Sequence, residues 1–97
     1  MKYIKFEWDQ SKNLSNTHKH GVSFEEAKSV FYDDFARVIH DPDHSLSEDR
    51  FIILGMSKHL NILTVVHCYL LNDETIRIVS ARKATKSEKN QYLELLK

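Results

Sequence analysis

Cysteine, proline and glycine are nearly absent: one Cys, one Pro and two Gly in 97 residues. Charge of one sign is absent too, because 14 Lys and Arg balance 14 Asp and Glu. Each scarcity excludes something. Cys68 cannot pair within the chain, which rules out a disulfide framework and favours a reducing compartment, the cytoplasm. Two glycines cannot build a glycine-rich phosphate loop. No apolar run approaches the roughly 20 residues that cross a bilayer, and Lys2, Lys5, Glu7 and Asp9 interrupt the start of the chain. Neither a membrane span nor a signal peptide is therefore expected. The six histidines are scattered, and His18 and His20 are too close in sequence to share a helical face, so no metal site and no cofactor are expected. With 41% hydrophobic residues available for one modest core, the length fits a single domain over residues 1–97.

What the chain does have is uneven charge. From Ile76 to Lys89 five cations stand against one carboxylate, Glu88, whereas from Glu25 to Asp49 eight acids stand against Lys28 and Arg37. A polarised surface of this kind steers a polyanion to one face, unless these are two ordinary solvated faces.

Apolar alternation locates the elements. Ile4, Phe6 and Trp8 alternate with Lys5 and Glu7, which predicts a strand with one buried side, closed by Asp9. Asp9 can cap a helix running from about Gln10 to His20, with Gly21 as its left-handed stop and only Leu14 strongly apolar. Ser23-Phe24-Glu25-Glu26 reads as a capping box opening a second helix to about Asp33. Short strands are predicted at Ala36–His40, Phe51–Met56, Asn61–Tyr69 and Thr75–Ala81, with a polar loop at Asp41–Ser45 and a reversal at Asn72–Glu74. Thr85-Lys86-Ser87-Glu88 is a second capping box, opening a C-terminal helix through Tyr92, Leu93 and Leu96. The order β-α-α-β-β-β-β-α predicts an α+β fold: an antiparallel sheet covered on one face by the two early helices, its other face open, and its first strand joined at an edge.

The cations at the last strand and helix are the candidate site. By strand parity Arg77 and Arg82 fall on opposite faces, while Arg77 and Lys83 share one. Arg82 follows the small residues Ser80 and Ala81, leaving room for its guanidinium to hold two oxygens of one phosphate. Lys86 and Lys89, three apart in the first turn of the helix, can project beside the same phosphodiester. His67 is a candidate for proton transfer or a satisfied half-buried histidine; Arg50 binds substrate or pairs with Glu48 and Asp49; Tyr92 stacks on a base or closes the core.

Phe6-Glu7-Trp8-Asp9, Lys12, Asn16, Lys19-His20-Gly21-Val22-Ser23-Phe24-Glu25-Glu26-Ala27, Asp41-Pro42-Asp43-His44, Glu48-Asp49-Arg50-Phe51, Gly55 and Ile76-Arg77-Ile78-Val79-Ser80-Ala81-Arg82-Lys83-Ala84-Thr85 together resemble the BrnT family of bacterial toxins. The resemblance spans nearly the whole chain. It implies a RelE/ParE-like fold and an endoribonuclease that slows translation and growth without a metal, neutralised by a BrnA-like ribbon-helix-helix antitoxin. Toxin and antitoxin would form a heterotetramer on an antitoxin dimer, and operator DNA would be met only through the antitoxin. On that reading RNA is the substrate, Arg82, Arg77 and Lys83 stabilise charge, His67 or Glu74 takes a proton, and Lys86, Lys89, Arg50 and Tyr92 bind RNA. Two competing readings remain: a ParE-like toxin that binds a protein such as gyrase, and an inactive antitoxin-binding module.

Overall fold

A computed structural model describes residues 4–41, 49–70 and 74–97. The predicted loop after Asp41, the reversal at Asn72 and Asp73, and Tyr3 lie outside them. The elements are β1 (Lys5–Glu7), α1 (Gln10–His20), α2 (Phe24–Ser29) with a 3-10 turn at Val30–Tyr32, β2 (Arg37–His40), β3 (Phe51–Met56), β4 (Ile62–Tyr69), β5 (Thr75–Lys83) and α3 (Lys86–Glu94).

Local chemistry explains the helix ends. Asp9 accepts from the Lys12 amide at 3.1 Å, and Gly21 closes α1 at φ 70°, where a side chain would be strained. Thr85 forms a complete capping box: its hydroxyl accepts from the Glu88 amide at 3.2 Å, and its own amide donates to Glu88 at 2.8 Å. At α2 only half of the expected box forms. Ser23 accepts from the Glu26 amide at 3.0 Å, but the Glu26 carboxylate turns inward to Ser57 at 2.6 Å and Asn61 at 2.9 Å, pinning the β3–β4 turn. Burial pushes the Glu26 pKa up, but these two bonds, with the charges of His59 and Lys83, outweigh it and leave the carboxyl below its usual range.

The sheet order is β1-β5-β4-β3-β2. The last four strands form an antiparallel meander, but β1 runs parallel to β5, so the sheet is mixed and not wholly antiparallel. The helical excursion after β1 frees it to enter the edge in either direction. One face carries the core: Val22, Phe24, Ala27 and Val30 pack on Ile53, Leu63, Val65 and Ile78. Phe6 and Trp8 extend it through edge contacts with Phe31 and Phe24. Gly55 lies where a Cβ would come within 2.7 Å of Val30 Cγ1, so the 3-10 turn can sit directly on β3.

The thin stripe of α1 has a different solution from the expected one. Leu14 is exposed, and the buried residue is Asn16. Its amide nitrogen donates to the carbonyls of Ala81 (2.8 Å) and Val22 (2.9 Å), and its oxygen accepts from the Ala81 amide (3.1 Å). β1 pairs with β5 only over Thr75–Arg77. Asn16 therefore does at Ala81 what a neighbouring strand residue would do, satisfying a buried edge.

Candidate functional site

The face away from α1 and α2 is set by strand register. Arg82 stands opposite Thr64, Thr64 opposite Leu54, and Leu54 opposite Arg37, one rank crossing four strands. At about 4.8 Å per strand step, the two arginine Cα atoms are roughly 14 Å apart on one surface.

Arg77 joins them because of an irregularity. In the β4–β5 pairing Val66 faces Ser80 but His67 faces Ile78, which leaves Val79 as an extra residue, a β-bulge. The parity of β5 is thereby reset. Arg77 faces Cys68 and Arg82 faces Thr64, four residues apart on β4, so the two arginines share the open face, contrary to the straight-strand count. Lys83, opposite buried Leu63, is turned to the other side. With Lys5 and Glu7 of β1 and Glu88 of α3, this face carries Lys5, Arg37, Arg77 and Arg82 against two carboxylates.

Helix α3 crosses one end of the face. Leu54, Ala84 and Tyr92 form a small second core there. The Tyr92 hydroxyl donates to Asp33 at 2.6 Å, and Asp33 also accepts from the Met56 and Phe35 amides. Burial and then the Asp33 carboxylate push the Tyr92 hydroxyl up to about 12. So docked, α3 presents Glu88 to the sheet. Glu88 takes both prongs of Arg82, at 2.8 and 3.1 Å, and the Thr64 hydroxyl at 3.0 Å. The Arg82 bond is the main reason its pKa falls to about 2, with burial opposing and Thr85 and Thr64 assisting. Arg82 is in turn held more firmly protonated by Glu88. A guanidinium carries five N–H donors. With two on Glu88, a third on the Lys83 carbonyl at 3.3 Å and its side chain 42% exposed, Arg82 is oriented and still has two donors for an anion. Arg77 is 3.7 Å from Glu7, a looser pair.

The other residues singled out from sequence are elsewhere. Lys83 and Lys89 line a shallow hollow with Leu60, Asn61 and Ile62. Lys86 borders a different surface with Asn90 and Glu94. Lys86 and Lys89 thus diverge, although they are three apart. Arg50, half-buried just before β3, accepts the Asp41 amide at its carbonyl. Glu74 precedes β5, at the end away from Arg82, and its carbonyl accepts the Lys5 amide. Tyr92, 2% exposed, closes the second core and offers no ring for stacking. His67 is fully buried on the helix side, against Phe31, Phe51 and Tyr69. Arg37, Thr64, Glu88 and Gln91 were missed. Arg37 sits in the acidic half of the chain, and only the sheet register reveals its place opposite Leu54.

Burial lowers the His67 pKa to about 4, the Val65 carbonyl 3.4 Å from Nδ1 opposing weakly. Because the unfolded chain binds this proton below about 6.5 and the folded one only below about 4, stability is full above pH 6.5. It declines as pH falls toward 4, by about 3 kcal/mol. Urea denaturation at pH 7 and pH 4.5 measures this. His67→Phe is expected to flatten most of the difference; an unchanged pH dependence in the variant would place its cause elsewhere.

The fold and this face define a small α+β protein with an arginine-bearing sheet surface steadied by a single C-terminal helix. The family model described as "Ribonuclease toxin, BrnT, of type II toxin-antitoxin system" matches residues 8–88, and the chain belongs to that family. It is thus a type II toxin, with an antitoxin as partner. The 1.1 Å crystal structure of the Brucella abortus ribonuclease toxin, BrnT, is similar in fold, with a TM-score of 0.67 and 24% identity, covering 86% of this chain and 99% of that one. No curated protein sequence matches the chain.

Proposed function

We propose that the chain, as one RelE/ParE-like domain over residues 1–97, is a cytoplasmic endoribonuclease that cleaves RNA without a metal and so inhibits translation and growth. Its antitoxin is a BrnA-like ribbon-helix-helix protein, two toxins binding an antitoxin dimer that alone contacts operator DNA. The observation that carries the reading is the alignment of Arg37, Arg77 and Arg82 on one open face, beyond what the family name supplies.

The RNA 2′-oxygen attacks the adjacent phosphorus, the bond to the 5′-oxygen breaks, and a 2′,3′-cyclic phosphate and a 5′-hydroxyl result. The two non-bridging oxygens gain charge, and Arg82 meets them with donors already oriented by Glu88. Arg77 and Arg37 hold the flanking phosphates. A preset donor aimed at developing charge contributes about 10²–10³ in rate. Glu88 orients and is not the base, since a carboxylate with a pKa near 2 is too weak. His67, buried on the opposite side of the sheet, has no part; the 2′ proton leaves to solvent, which also protonates the 5′-oxygen. Charge stabilisation falls to the arginines.

Purified protein incubated with total RNA tests this. Fragments ending in 2′,3′-cyclic phosphate are expected with and without EDTA. RNA that stays intact at high protein concentration would overturn the reading in favour of a protein target such as gyrase or an inactive antitoxin-binding module. Three phosphate contacts to a single strand give a log–log salt slope of about −2, so affinity falls roughly 20-fold between 50 and 200 mM salt. A flat response would contradict the arginine face.

A further inference from the structure

Beside Arg82, between α3 and the strands, the open face is indented by a hollow of about 240 Å³. Ile39, Ile52 and Leu54 supply its apolar lining, the buried Thr64 lies beside Leu54, and the exposed Arg37 and Gln91 stand at its rim. We propose that this hollow receives one unstacked nucleobase of the RNA, next to the phosphate held by Arg82, and that Gln91 reads the edge of that base. The proposal rests on the nuclease reading and gives it a source of sequence preference.

Size, charge and chemistry agree on this occupant. Pockets for whole small-molecule ligands are about 300–1,000 Å³. A smaller hollow with an apolar floor suits a single flat ring whose sugar and phosphate stay outside. The outside is where the cations are: Arg82 shares a rank with Thr64, and Arg37 closes the same rank on the far side. No carboxylate among the described residues pairs with Arg37. Its guanidinium plane is therefore available to stack on a base entering beneath it. The rim then divides by task. Glu88, which also borders the hollow, spends its oxygens on Arg82, Thr64 and Thr85. Gln91, one turn along α3, has only a long 3.5 Å contact from its amide nitrogen to Ser87. It presents a donor and an acceptor side by side, the pattern that reads a base edge with two bonds.

Sequencing the 5′ ends of fragments from a random RNA pool gives the preference at each position around the cut. The native protein is expected to favour one base at one fixed position, and Gln91→Ala to relax that preference about 5- to 100-fold. Total cleavage should fall less, because Arg82 is untouched. In a second arm, millimolar 5′-mononucleotides are titrated against the methyl resonances of Ile39, Ile52 and Leu54, with ribose 5-phosphate as control. Shifts with mononucleotides and none with the control are expected. An unaltered preference in Gln91→Ala, or methyl groups that respond equally to ribose 5-phosphate, would overturn the proposal. So would methyl shifts seen only on adding the antitoxin, which would assign the hollow to that partner. If the native protein cuts no RNA, the nuclease reading fails by itself, and the methyl titration alone decides whether a base binds.

Discussion

Arg82→Ala is expected to reduce RNA cleavage by about 10²–10³-fold, restoring growth of cells that express the toxin without antitoxin. The protein should remain folded. The Arg82–Glu88 pair is partly solvent-exposed, and exposed pairs contribute at most about 1 kcal/mol. Glu88 keeps its bonds to the Thr85 amide and Thr64 hydroxyl, so the cap of α3 survives. Antitoxin binding should be nearly intact. The Glu88 pKa, held near 2 chiefly by the Arg82 bond, should rise in the variant, and carboxyl NMR titration reads this directly. Arg82→Lys restores the charge without the two-pronged geometry and should fall between native and alanine. Full toxicity of Arg82→Ala at confirmed soluble yield would remove Arg82 from the active site.

Asn16→Ala carries the largest expected cost in stability. Three hydrogen bonds disappear together, and the Ala81 amide and carbonyl lose their partner beside a core where Ala81 is 1% exposed. Buried groups left without partners cost about 1–3 kcal/mol each, so roughly 3–5 kcal/mol is expected in total. For a chain of this size that corresponds to a Tm drop of about 15–30 °C. Thermal unfolding followed by circular dichroism measures it, and hydrogen exchange at the Ala81 amide should accelerate even under native conditions. A Tm within a few degrees of native would mean that water or the backbone replaces the amide, and that Asn16 does not hold β5.

What the sequence reveals follows the range of the forces involved. Caps act within three residues, so Asp9, Ser23, Thr85 and Gly21 can be read directly, and strand alternation is as local. The reach of Glu26 to Ser57 and Asn61 is not local, which is why the box expected at Ser23 is only half formed. The direction of β1 depends on how the chain returns to β5, and nothing in Lys5–Glu7 encodes that. At the site, Arg82 and Arg77 are visible as cations on a strand, but their common face depends on the bulge at Val79. Arg37 is hidden by acidic neighbours in sequence. His67 and Tyr92 illustrate the converse: their chemistry invites a functional role, and packing alone assigns both to the interior.

The bulge also constrains how this toxin can vary. Replacing Val79 by another β-tolerant residue leaves the arginines aligned, and deleting it would leave Arg77 and Arg82 four apart on a regular strand, still on one face. Straightening β5 at its present length would instead pair Val79 with His67 and Arg77 with Tyr69, turning Arg77 to the helix side. The bulge thus lets a five-residue spacing keep two arginines on the face that a straight strand would grant only to an even spacing.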